Sequence, residues 1–293
     1  MAPARARLLA CLSALTLIAS ASSPVAAGER ITDNLEILWG QTQLLNGDET
    51  IALSLDRAMG AGFRSKTSYL FARIDIDIKL VPKNSAGTVT TVYLISEKQW
   101  KTHDEIDLEF LGNVTGQPYT LHTNIFANGV GGREVQFRLW FDPTEDFHTY
   151  SIVWSSDQIL ILVDGMAVRQ FKNHWAAGVA FPVYQPMRFY GVLWDADDWA
   201  TEGGRVKTDW SQAPFVAYFR NFRVQQGCAS SGFSWACGQD PFGGDWFDGG
   251  VGVDDVKQQQ QQLREARSKY MIYDYCTDSV RFPDGFPKEC GLA

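Results

Sequence analysis

In His103-Asp104-Glu105-Ile106-Asp107-Leu108-Glu109-Phe110, polar and apolar side chains alternate strictly from Glu105 to Phe110. Successive side chains of an extended chain point to opposite faces. Asp104, Ile106, Leu108 and Phe110 therefore share one face, and His103, Glu105, Asp107 and Glu109 share the other. The same period of two continues outward from this stretch. Ile74, Ile76, Ile78 and Leu80 alternate with Asp75, Asp77 and Lys79, and Val216, Tyr218, Arg220, Phe222 and Val224 alternate with Ala217, Phe219, Asn221 and Arg223. Ile159 to Val163 is a continuous apolar run closed by Asp164-Gly165, a hairpin dipeptide. Short strands parted by Gly, Pro, Asn and Asp from about residue 35 to 226 predict an all-β fold, an antiparallel β-sandwich of jelly-roll type.

The chain around these strands has 293 residues, with 45% hydrophobic, 13% aromatic and 20% charged. So many core-forming side chains exclude a disordered chain. The formal net charge of −8 leaves no basic excess to neutralise phosphates, so no nucleic-acid partner is expected. Ten Trp and ten Tyr must either fill the sandwich or present flat faces to a ligand. At the start, Arg5 and Arg7 precede the apolar run from Leu8 to Ala19, and small residues follow through Ala27. This is the layout of a secretory signal peptide over residues 1–27, too short an apolar run to span a bilayer. Its loss removes two positive charges and takes the mature net charge from −8 to −10. No later segment is apolar enough for a membrane span.

The composition shifts after Gln226. Residues 28–226 read as the sandwich and residues 227–293 as an extension packed on it. Within the extension, Val253 to Tyr273 predicts a helix with Val253, Val256, Leu263, Ala266 and Tyr270 on one stripe. Gln258 to Gln262 is expected on that helix's solvated face. The mature chain keeps Cys228, Cys237, Cys276 and Cys290, which in an oxidising compartment allow three pairings. The short spacings favour Cys228–Cys237 and Cys276–Cys290. Asn113-Val114-Thr115 is the chain's one glycosylation sequon.

Three carboxylates on one face repel one another, and a purely structural strand is rarely built that way. Retaining glycoside hydrolysis gives the crowding a use, since it needs a nucleophilic carboxylate and an acid/base carboxyl about 5–5.5 Å apart. The Cα atoms of Glu105 and Glu109 are separated by roughly 13 Å on an extended strand, so their side chains must lean together over Asp107. Like charge at Asp107 would raise a neighbouring Glu and keep it protonated as an acid. Two other readings fit the pattern alone: a Ca²⁺ site, although no Gly-centred loop of carboxylates is present, or a polar face turned to water. His103 reads as a hydrogen-bonding neighbour of these acids.

The stretch His103 to Asn113 resembles the signature of the plant xyloglucan endotransglucosylase/hydrolases, a branch of glycoside hydrolase family 16. The similarity extends to Leu139-Trp140-Phe141-Asp142-Pro143-Thr144, Phe147-His148-Thr149-Tyr150, Trp194-Asp195-Ala196-Asp197-Asp198-Trp199, Asp209-Trp210-Ser211-Gln212-Ala213-Pro214-Phe215 and, in the tail, Tyr273-Asp274-Tyr275-Cys276 and Arg281-Phe282-Pro283. The resemblance implies a secreted enzyme of the plant cell wall and apoplast that acts as a monomer without cofactor or metal. Glu105 is then the nucleophile, Asp107 its modulator and Glu109 the general acid/base. Tyr93, His122, Asn124, Trp194, Trp199 and Gly203 become sugar contacts, and Arg281 an acceptor-side contact. Its partners are a polysaccharide donor and an oligo- or polysaccharide acceptor, β-glucans of the xyloglucan type. His122-Thr123-Asn124 stands where Gln-Thr-Asn is typical, and Gln136 where Arg is more usual. A titratable His122 predicts binding that varies between about pH 5 and 8. Trp194 to Phe215 carries no insertion of the kind expected in dedicated hydrolases, so transfer is expected over hydrolysis. A hydrolase and a non-catalytic glucan-binding wall protein are the alternatives.

Overall fold

The computed structural model describes residues 30–97, 99–231, 234–236 and 253–292. The leader expected at 1–27, and Cys237 with its expected pairing to Cys228, lie outside the described residues. After a single helical turn, Ile31–Asn34, the strands run β1 Leu35–Trp39, β2 Gln41–Leu45, β3 Thr50–Leu55, β4 Ala61–Ser65 and β5 Ala72–Lys79. They continue as β6 Thr88–Ser96, β7 Glu105–Leu111, β8 Thr120–Phe126, β9 Val135–Arg138 and β10 His148–Trp154. Next come β11 Gln158–Val163, β12 Met166–Lys172, β13 Met187–Asp195 and β14 Phe215–Gln226. A small hairpin follows, β15 Ala229–Ser231 with β16 Ser234–Ala236, then helix α1 Val253–Lys269 and β17 Met271–Asp274.

Two antiparallel sheets carry the expected sandwich. One is ordered β1-β4-β13-β6-β7-β8-β9-β17, the other β12-β11-β10-β5-β14-β3-β2. Asp164 and Gly165 form the two-residue turn between β11 and β12, both at positive φ (48° and 77°), as a hairpin of that handedness requires. Between the sheets, Ile106, Leu108 and Phe110 of β7 are wholly buried with Ile74, Ile76 and Ile78 of β5 and Phe219 of β14. Aromatic edges join the layers. Phe110 meets Tyr150 of the opposite sheet at 4.6 Å between ring centroids, and Phe63 meets Phe219 at 5.1 Å. Much of the chain's aromatic content thus fills the core.

The extension differs from its sequence reading in two ways. The helix ends at Lys269, and Met271–Asp274 pairs with β9 as the outermost strand of the β7 sheet. That edge of β9 offers unpaired N–H and C=O groups, and Met-Ile-Tyr meets it in extended form. The glutamine run is likewise not all solvated. Gln262 accepts a hydrogen bond from the Ala167 amide (3.2 Å), and Gln260 reaches Gln170 (3.5 Å). Helix α1 thereby caps β12, the edge of the second sheet. Cys276 and Cys290 are disulfide-bonded. Among the described residues, no helix is long and apolar enough to cross a membrane.

Phe110→Ala removes a wholly buried ring at the contact between the sheets. It is expected to cost about 3–5 kcal/mol of folding stability, read as a lowered midpoint in denaturant unfolding. A loss below about 1 kcal/mol would contradict this packing.

Candidate active site

The core face of β7 is fixed by Ile106, Leu108 and Phe110, so Glu105, Asp107 and Glu109 must face outward from the sandwich. Register places their neighbours. Glu105 lies between Ile95 and Phe126, Asp107 between Tyr93 and Asn124, and Glu109 between Thr91 and His122. Beyond these rows, Tyr190 sits across from Tyr93 and Gln136 across from His122. The carboxylates are sparingly hydrated: Asp107 is 7% exposed, and the side chains of Glu105 and Glu109 are 13% and 20% exposed.

Near-dry like charges cannot all ionise. Burial raises Asp107 well above the usual carboxylate range, reinforced by the charges of Glu105 and Glu109 and by a hydrogen bond to Glu105. Glu109 is pushed up to about 7, first by burial, then by Glu105 and Glu134. Burial raises Glu105 too, but hydrogen bonds from Asp107 and His103 oppose the rise. The arrangement favours a carboxylate at Glu105, a proton held by Asp107, and a proton on Glu109 that leaves near neutrality. An anionic nucleophile beside a protonated acid is the pairing that glycosyl transfer with retention requires.

The sugar-contact candidates line the same face. Tyr93 stacks on Tyr190 at 5.2 Å, and burial, Glu105 and Asp107 all keep its phenol protonated. The Asn124 side-chain oxygen accepts from the Ile125 and Arg133 amides, which fixes the group beside Asp107. Trp194 and Trp199, both half-buried, lie 6.2 Å apart, and Trp199 meets His122 edge-on at 5.9 Å. Gly203 stands at positive φ (67°) in the exposed turn Glu202–Gly204 beyond Trp199, and the structure shows no contact of it with the acids. Arg281 reaches from the extension to Glu134 (2.5 Å) beside β9. Burial pushes Glu134 up, but the Arg281 hydrogen bond and charge, together with a backbone hydrogen bond, outweigh it and hold Glu134 low. Asn113, on the turn after β7, is half-buried, and its amide nitrogen donates to the Pro118 carbonyl.

One expectation fails. Burial lowers His122 to about 4, so this ring stays neutral through the range in which pH-dependent binding was expected of it. The Gln136 amide nitrogen donates to His122 Nδ1 at 2.9 Å, leaving the ring proton on Nε2, 3.8 Å from Glu109 Oε2. Several participants escaped the sequence reading. Glu134 and Tyr190 come from strands or loops whose register no local pattern reveals. Arg169 of β12, wholly buried, crosses the core to Thr123 Oγ1 (2.6 Å) and lowers Asp107 from below. His103, by contrast, was expected as a hydrogen-bonding neighbour of the acids, and it binds Glu105 Oε2 at 2.8 Å.

Residues 31–212 match the family model for glycosyl hydrolases family 16, and residues 246–290 match that for the xyloglucan endo-transglycosylase C-terminus. Xyloglucan endotransglucosylase protein 1 of Diospyros kaki is 51% identical over 278 residues, covering 94% of this chain and 93% of that protein. Xyloglucan endotransglucosylase/hydrolase protein 15 of Arabidopsis thaliana is 54% identical over 263 residues, 88% of each chain. Among solved structures, the apo Crh5 transglycosylase superposes with a TM-score of 0.56 at 25% identity, covering 68% of this chain and 81% of that one. A prokaryotic β-1,3-1,4-glucanase shares the fold at a TM-score of 0.52 and 23% identity. With the family model matched over residues 31–212, and with relatives matched along nearly its whole length, the chain belongs to glycosyl hydrolases family 16.

Proposed function

We propose that this protein is a retaining xyloglucan:xyloglucosyl transferase that cuts a β-1,4-glucan backbone and rejoins the cut chain to an acceptor glucan. The observation that carries the reading is the row of three largely buried carboxyls on the outward face of β7: Glu105 with Asp107 and His103 hydrogen-bonded to it, and Glu109, which burial and neighbouring charge push up to about 7. Glu105 attacks the anomeric carbon, the glycosidic C–O bond breaks, and Glu109 gives its proton to the departing chain. An acceptor hydroxyl then displaces Glu105, its proton passing to Glu109. Tyr93, Asn124, His122, Trp194, Trp199 and Gly203 line the donor and acceptor sugars, with Trp rings offering flat faces. Arg281 borders the acceptor side.

Transfer is favoured over hydrolysis by the extension. Its β17 lengthens the cleft sheet past β9, and Arg281 is anchored on Glu134. Residues 28–226 form the catalytic unit, and residues 227–293 complete its acceptor side. The relatives named above carry xyloglucan and transglucosylase in their names. The leader at 1–27, the sequon at Asn113 and the cysteine-bearing tail fit secretion as a glycoprotein into the plant cell wall, where the enzyme works as a monomer on polysaccharide.

Incubation with xyloglucan and a labelled oligosaccharide acceptor tests the reaction: label enters polymer, and reducing ends do not accumulate. New reducing ends without labelled polymer would reject transfer. Glu105→Ala lowers incorporation on the order of 10³-fold or more, and retained turnover in a folded variant would remove Glu105 from the nucleophile role. The pH dependence has a definite sign. The acid form of Glu109 is present below about 7 and lost above it, so kcat/KM falls on the alkaline side through that pH. Glu109→Gln abolishes that limb along with most of the rate; a limb that persists in this variant belongs to another group.

A further inference from the structure

His103, just ahead of β7, is 1% exposed and is not used by the chemistry described so far. Its Nδ1 lies 2.5 Å from the Trp100 carbonyl oxygen. A carbonyl only accepts, so Nδ1 carries a hydrogen. Its Nε2 lies 2.8 Å from Glu105 Oε2. An imidazole lone pair and a carboxylate oxygen repel at that distance unless a proton lies between them, so the pair holds a second proton. Glu105 also receives the Asp107 hydrogen bond, and a carboxyl that accepts from two sides is favoured as the anion. The proton therefore belongs on Nε2.

Aromatic faces support a cation there. Trp100 stacks on the His103 ring at 4.5 Å and 16°, and Phe126 covers its other side at 5.1 Å and 34°. The negative faces of such rings attract an imidazolium. Trp100 is itself 71% exposed, a large apolar group held at the surface while it shields a buried ring. The groups facing His103 are few. Its own segment contributes Glu105, with Asp107 beyond it, and β6 contributes Tyr93 across from Asp107. The β8 side contributes Phe126 and the Gly129 amide, which donates to the His103 carbonyl. Asp104 Oδ1 accepts from the Asn128 amide (2.7 Å), and the Lys101 residue is exposed.

We infer that His103 is a positioning residue that holds an imidazolium proton against Glu105 Oε2, orienting the nucleophile and making it a better leaving group. The inference rests on the reading of Glu105 as the nucleophile. When Glu105 forms its bond to the anomeric carbon, the carboxylate charge is spent and the glycosidic electron pair leaves with the proton of Glu109. When the acceptor oxygen attacks, the ester C–O bond breaks and its electron pair returns to Glu105. The His103 proton stays on Nε2 throughout and meets that returning charge. Its largest effect therefore falls on breakdown of the glycosyl-enzyme, the step that decides how fast an acceptor is used.

The test uses the full mature chain with xyloglucan donor and labelled oligosaccharide acceptor. Mass spectrometry of enzyme quenched during turnover first locates the glycosyl adduct; an adduct on a residue other than Glu105 overturns the nucleophile reading and this inference with it. With the adduct on Glu105, His103→Gln, which keeps a hydrogen-bond donor but no charge, should move the acid limb of kcat/KM upward by about one pH unit. It should also lower kcat about tenfold or more while the adduct accumulates, with donor KM falling in step so that kcat/KM at the pH optimum changes little. A rate loss that is uniform across pH, with unchanged adduct occupancy, would assign His103 a structural role only and overturn the inference while leaving Glu105 in place. One measurement needs no variant: in ¹⁵N-labelled wild-type protein, both His103 ring nitrogens should resonate as protonated at the pH of maximal activity. An Nε2 resonance of the unprotonated type there overturns the inference.

Discussion

Three carboxyl groups on alternate positions of one strand are the constraint from which the rest of this molecule follows. In water they would share the repulsion cheaply; in a near-dry cleft they cannot all carry charge. The strand that bears them is anchored by its other face, where Ile106, Leu108 and Phe110 are wholly buried. Each such side chain contributes about 1.5–3 kcal/mol on burial, enough to hold the acids together against a repulsion that protonation has already reduced. Burial that raises all three carboxyls thus eases the repulsion that folding this strand must overcome.

The extension belongs to the same design. Arg133, behind the cleft, donates to Glu289 at 2.7 Å, and both side chains are nearly buried. Arg281 and Glu134 make a second bridge closer to the acids. Between the sheets, Arg169 ties β12 to Thr123 of β8 and to the carbonyl of Arg133. The guanidiniums of Arg133 and Arg169 are buried against acceptors that would otherwise be stranded, so removing one partner there costs more than the pair contributes. The tail thereby fixes the position of Glu134, and Glu134 is one of the charges that keeps Glu109 protonated.

Much of this was legible in the primary structure, for a physical reason. A period of two needs no knowledge of distant chain, so the alternation at Ile74 to Leu80 and at Glu105 to Phe110 declared strands and their faces, and Asp164-Gly165 declared a turn. Pairings between remote segments leave no such trace. Met271–Asp274 continues the polar and apolar spacing of the helix before it, and only the open edge of β9 turns it into a strand. Gln260 and Gln262 look like solvent-facing residues until β12 presents its edge amide. His122 shows the same limit at the site. Its ring is titratable by type, and the burial that lowers it to about 4 is assembled from several strands.

The two histidines at β7 show how hydrogen-bond polarity sets charge when burial is similar. The His103 side chain is 2% exposed and that of His122 is 13% exposed, and they stand beside Glu105 and Glu109 respectively. His103 Nδ1 faces a carbonyl, so it must donate, and its remaining nitrogen meets a carboxylate only with a second proton between them. His122 Nδ1 faces the Gln136 amide nitrogen, so it must accept, and one proton on Nε2 satisfies the ring. A cation at His122 would lie 3.8 Å from Glu109 and draw the proton off the acid. A neutral ring at His103 would leave the returning charge on Glu105 without its partner. Exchanging the two ring states would therefore cost Glu109 its proton at one end of the strand and Glu105 its counter-charge at the other.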